Sequence, residues 1–105
     1  MASSKEYLEF VLEQLSDIQG ISHRAMMGEY LIYCRGKVIG GIYDDRFLVK
    51  ATASARRLLP NAVSELAYQG AREMLLVDVD DRELLNRIVL AIADNLPKPR
   101  NKRQD

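Results

Sequence analysis

The chain has 105 residues, 48% of them hydrophobic and 29% charged, and its fifteen basic side chains are matched by fifteen acidic ones. That length holds one domain with one core, and the mixture is globular, far from the high-charge balance of disorder. A formal charge of zero excludes a whole-molecule field that would draw the domain to nucleic acid or an anionic membrane, so either role needs a local patch. The uncharged runs are too short to span a bilayer, and the opening MASSKEYLEF lacks a basic region followed by an apolar stretch. The lone Cys34 has no partner for an internal disulfide, which fits a reducing compartment. A cytoplasmic address without membrane contact is the expectation.

Ser3 and Glu6 have capping-box spacing, which predicts a helix from near Ser4. Tyr7, Leu8, Val11, Leu12, Leu15 and Ile18 recur on one face of it, and Gly20 is its expected stop. Residues 21–27 have mixed patterning and read as a loop leading into a short strand. Turns are predicted around Met27-Gly28-Glu29, at Arg35-Gly36 and at Asp44-Asp45. They separate strands over residues 29–34, 37–43 and 47–50. The Gly40-Gly41 pair inside the second of these weakens a strand, so it predicts a bulge or a close backbone approach to a packed helix.

Thr52 is the expected cap of a short helix halted before Pro60. Another helical turn is expected over residues 61–68, broken at Gly70, and a strand over residues 73–79. Asp80 or Asp81 then opens a last helix with Leu84, Leu85, Ile88, Val89, Ile92 and Leu96 on one face, ended by Pro97 and Pro99. Residues 98–105 hold four cations and no apolar side chain, and read as a basic flexible tail after a domain of residues 1–97. The predicted class is α+β in two layers: an antiparallel meander of three or four strands covered by N- and C-terminal helices.

No side chains here make a convincing catalytic or metal set. His23 beside Arg24 offers a proton shuttle or anion site, but a single histidine reads first as a loop residue. Cys34, placed mid-strand, reads as core before nucleophile. Asp44-Asp45 and the run Asp78, Asp80, Asp81, Glu83 lack the spacing of a calcium loop and suit turn and cap duty. Arg24, Arg46, Lys50, Arg56 and Arg57 lie close in sequence and could form a basic ridge for an acidic partner or phosphates. Lys98, Arg100, Lys102 and Arg103 in the tail would add loose attraction for nucleic acid, without sequence readout. Met26-Met27 with Tyr30 would make a soft apolar docking patch if exposed.

The stretch RAMMGEYLIYCRGKVIGGIYDDRFLVK resembles the opening signature of the TfoX/Sxy N-terminal domain family: arginine, methionine, hydrophobic residue, glycine and tyrosine, then a Gly-Lys hairpin, an Asp-rich turn and hydrophobic-lysine. These elements fall on Arg24, Met26, Met27, Gly28, Tyr30, Gly36, Lys37, Asp44, Asp45 and Lys50, and the resemblance runs on into the final helix and tail. Met27 replaces a phenylalanine frequent in that family. The resemblance implies a two-layer, secretion-chaperone-like fold and a link to transcriptional regulation of natural competence. It also implies a C-terminal helical DNA-binding domain in longer members, which these 105 residues do not include. The expectation is a non-enzymatic protein-interaction module without cofactor, contacting its partner or a second copy through Arg24, Met26, Met27, Gly28 and Tyr30. The alternative is a weak nucleic-acid binder working through Arg56, Arg57, Lys98, Arg100, Lys102 and Arg103.

Overall fold

The computed structural model describes residues 4–66 and 70–96. Ser4 is extended and its hydroxyl accepts from the Tyr7 amide at 3.1 Å, so helix α1 spans Lys5–Gln14. The cap therefore lies one residue beyond the expected Ser3. Ser3 lies outside the described residues, and with Ser4 as cap the third helical position is Tyr7, not a glutamate. The Ser4 amide instead donates to Asp45 Oδ1 at 2.8 Å, tying the helix start to a distant turn. Gly20 does not end the helix, which has already stopped at Gln14. Its φ of 90° bends the chain into the sheet, where its carbonyl accepts from the Arg35 amide at 2.8 Å.

Strands β1 (Ile21–Met26), β2 (Glu29–Cys34), β3 (Lys37–Ile42) and β4 (Phe47–Lys50) follow as successive hairpins. The paired residues between them all take left-handed backbone: Met27 and Gly28 at φ 52° and 85°, Arg35 and Gly36 at 54° and 83°, Asp44 and Asp45 at 54° and 57°. Two consecutive left-handed residues match the twist of the strands they join. The expected loop before Met27 is a full strand, in register with β2 from Ile21 opposite Cys34 to Met26 opposite Glu29. Its mixed sequence fits an edge strand exposed from Ser22 onward.

Helix α2 (Ala53–Leu58) is capped by Thr52, whose hydroxyl accepts from the Ala55 amide at 3.2 Å. The helical turn expected next is instead strand β5 (Ser64–Leu66), held by antiparallel pairing with β6 (Glu73–Leu76). Helix α3 (Arg82–Asn95) begins at Asp81, which accepts from the Leu84 amide at 3.1 Å. The six strands form one antiparallel sheet in the order β1-β2-β3-β4-β6-β5. Strand β5 is not expected, and β1 is longer than the short strand expected, because these two edge strands carry little of the apolar alternation that marks a half-buried strand.

Helices α1 and α3 cover one face. Val11, Leu15, Leu85, Ile88, Val89 and Ile92 meet Ile32, Ile39, Ile42, Phe47 and Val49, all fully buried. Removing a side chain the size of Phe47 from water contributes about 2–3 kcal/mol. Cys34 belongs to this core, which supports the packing reading of it. Polar ties fix the helices: Lys37 Nζ donates to the Ala93 carbonyl at 2.7 Å, placing a cation at the negative end of α3. Asn95 Oδ1 accepts from the Ser54 hydroxyl at 2.6 Å and amide at 3.1 Å, which locks α2 to α3.

The bulge expected at Gly40-Gly41 is found, while the close backbone approach is to strand β4 and not to a helix. Ile32 pairs with Gly40 and Tyr33 with Val38, so Ile39 is the extra residue of a bulge. A Cβ on Gly40 would lie 2.2 Å from the Leu48 carbonyl oxygen and 2.9 Å from Val49 Cα, both backbone atoms that cannot step aside. Gly40→Ala is expected to lose at least about 2 kcal/mol of stability, read as a shift of the urea midpoint at unchanged slope. A variant as stable as the parent would contradict the close approach.

Candidate functional site

The residues singled out around the first hairpin are brought together at the open edge of the sheet, though not on one face. Register and alternation put Arg24 and Met26 on the face that carries Leu31 and Tyr33, away from the helices. Tyr30 is on the opposite face, partly buried against the core, with its ring 6.2 Å from that of His23 in an edge-to-face arrangement. Met26 is 47% exposed, and Met27 at the hairpin tip is 97% exposed. The patch is therefore at the surface, and Tyr30 contributes to it chiefly by holding β1 in place.

Met27 stands out among the turn residues. Left-handed backbone costs an ordinary side chain about 1–2 kcal/mol, while Asn, Asp and Gly tolerate it. Asp44 and Asp45 belong to the tolerant kind. Arg35 is an ordinary residue in the same conformation, but its stem lies so near Gly20 that a Cβ there would be 2.8 Å from Arg35 Cγ. Met27 projects an apolar chain almost wholly into solvent from a conformation that Asn would accept more readily.

The basic ridge does not form. Arg24 is on β1, separated from Lys50 on β4 by the two strands between them. Arg46 is ion-paired with Glu65 and donates through Nε to the Tyr43 carbonyl at 3.1 Å. Arg57 is exposed, with Nη2 3.5 Å from Ser54 Oγ. Lys50 and Arg56 instead line a cavity of about 660 Å³ that also takes in Arg72 and Tyr43. Arg72 escaped the sequence reading because β6 pairs with β4, Lys50 opposite Met74, and sequence distance gives no hint of that neighbourhood. Lys98, Arg100, Lys102 and Arg103 lie outside the described residues.

The acidic residues serve the backbone. Asp45 accepts from Ser4, Asp78 Oδ1 accepts from the Asp80 amide at 2.9 Å, and Asp81 caps α3. Among the described residues, no group of three or more His, Cys, Asp or Glu is placed to hold a metal ion. The Tyr7 phenol is held above its ordinary value chiefly by burial, opposed by a hydrogen bond with the Phe47 backbone and reinforced by Asp45, Asp80 and Asp78. No helix among the described residues is long and apolar enough to cross a membrane.

An antiparallel sheet with helices on one face, an open edge hairpin and a cavity by its fourth strand defines a small α+β domain. The family model of the TfoX N-terminal domain matches residues 13–89, and the chain belongs to that family. The match starts near the end of α1 and stops inside α3, so it takes in the whole sheet but not the tail. A Spirochaeta aurantia protein, named "Uncharacterized 12.7 kDa protein in trpE 5'region", is 29% identical over 105 residues, covering 98% of this chain and 91% of its own. No solved structure matches the chain.

Replacing Met27 with Asn gives the hairpin an Asn-Gly turn. Met27→Asn is expected to raise stability by about 1 kcal/mol, visible as a higher melting temperature. A lower melting temperature would mean that the methionine makes a stabilising contact its exposure does not reveal.

Proposed function

We propose that the protein is a non-enzymatic interaction module that takes an extended segment of a partner protein along β1, with Met26 and Met27 as apolar anchors and Arg24 as the charged one. One observation carries the reading: a strained methionine, 97% exposed, sits at the end of a six-residue edge strand. An unpaired edge is a template for strand addition, and proteins ordinarily blunt it. Here the edge carries His23 and Arg24 and no acidic residue, so an acidic segment with an apolar side chain fits it best. Gly28 supplies the turn, and Tyr30 backs the strand. Membership of the TfoX N-terminal family supports a regulatory setting for that partner, in transcriptional control of competence. A second reading, weak nucleic-acid binding through Arg56, Arg57 and the tail cations, is favoured by the exposure of both arginines on α2.

The two readings separate in one capture experiment with tagged protein and source-cell lysate, run with and without nuclease at two salt concentrations. The expected result is a protein retained in near-stoichiometric yield under all conditions. It should be lost with Met27→Asp and with Arg24→Glu, while both variants keep the parental melting temperature. Retention by both variants would remove β1 as the docking edge. Material lost on nuclease or salt treatment would favour the nucleic-acid reading.

A further inference from the structure

The basic residues left over from the failed ridge have their own geometry. Lys50 comes from β4, Arg56 from α2 and Arg72 from the approach to β6, and all three line one cavity of about 660 Å³. Among the described residues, the one acidic member of its lining is Glu73. Among the described residues, none of the three cations is in an ion pair, in contrast to Arg46 with Glu65 and Arg82 with Asp17. Among the described residues the three cations of the lining exceed its single carboxylate, and an anion in the cavity would balance the excess positive charge.

Most of the remaining lining is apolar, with Thr52 and the Tyr43 phenol as its polar members. Val38, Met74 and Leu96 contribute to its wall. Tyr43 contributes an aromatic ring, which folds back over Gly41: a Cβ there would lie 2.7 Å from the Tyr43 hydroxyl oxygen and 2.8 Å from its ring edge. Gly41 thus clears the space in which the ring lies. A volume of this size is that of a small-molecule site, and a few polar groups in an apolar wall are its usual make-up. A polymer chain would call for an extended basic track, whereas these cations close on a single concavity in a chain of zero net charge.

We propose that this cavity is a binding site for a small organic anion, whose carboxylate or phosphate meets Lys50, Arg56 and Arg72 while its apolar body lies against Tyr43 and Met74. The site is separate from the β1 edge and does not depend on what docks there. Phenyl phosphate is the first probe, and benzoate is the carboxylate arm. Phenol and inorganic phosphate are controls for the two halves of the recognition.

Calorimetric titration should show saturable binding of phenyl phosphate or benzoate, the tighter of the two naming the anionic group. The triple variant Lys50→Gln, Arg56→Gln, Arg72→Gln should bind at least about tenfold more weakly, the effect of losing one hydrogen bond to a charged group. Arg87→Gln, on the exposed side of α3, should bind as the parent does. The proposal is overturned if neither probe saturates, if the triple variant binds unchanged, or if phenol or inorganic phosphate binds as tightly as the better probe. Amide shift mapping on the parent protein keeps the test decisive should the triple variant fail to fold. Shifts centred on Tyr43, Lys50 and Arg72 support the site, and shifts centred elsewhere overturn it.

Discussion

At Gly40 two backbones come closer than any side chain would permit, and much of the molecule depends on that contact. The bare Cα lets β3 press against the Leu48 carbonyl. The bulge at Ile39 places that residue beside Gly40 on the covered side, where Ile39 is fully buried under the helices. One residue on, Gly41 faces the other way and accommodates the Tyr43 ring. One dipeptide thus serves the core on one side of the sheet and the cavity on the other. Its low strand propensity is offset by packing that no larger residue would allow.

Helices α1 and α3 take one face of the sheet, and the features we assign to function lie on the edge strand and in the cavity lined by residues of β4, α2 and the approach to β6. Arg24 and Met26 project from the uncovered face of β1, and Lys50 and Met74 stand opposite each other on β4 and β6. The interior is locally consistent: the caps at Ser4, Thr52 and Asp81 are satisfied, and the main polar ties between helices are made. One buried atom, Asn86 Oδ1, has no hydrogen-bond partner among the described residues. The other departures from local rules come outside the interior, in an exposed methionine in left-handed backbone and in three cavity cations that form no ion pair among the described residues. Chains that otherwise obey their propensities tend to break them where they bind something.

Much of this fold was legible in the sequence. Each hairpin turn announced itself through Gly28, Gly36 or the Asp44-Asp45 pair, and the apolar face of α3 was plain from its period. What was missed follows a physical pattern. Strands β1 and β5 are edge elements, so Ser22, His23 and Ser64 carry no alternation that a half-buried strand would show. The cap is Ser4, whose hydroxyl accepts from the Tyr7 amide, and two adjacent serines leave the choice between them open in the sequence. The site was legible only in pieces. The sequence marks Met26 and Met27 as a patch and leaves open whether it is exposed or buried, which the hairpin tip decides. Lys50 and Arg56 were grouped with Arg24, from which the strand order separates them, and Arg72 was invisible until β6 paired with β4.

The central claim is that β1 is the docking edge, and amide hydrogen exchange tests it most directly. Exchange would be measured on the domain alone and again with the captured partner bound. Strand addition predicts slowed exchange over residues 21–26, with the α3 amides unchanged, because new backbone hydrogen bonds form only along that edge. Unchanged exchange in β1, with protection appearing on α2 or α3 instead, would contradict the account.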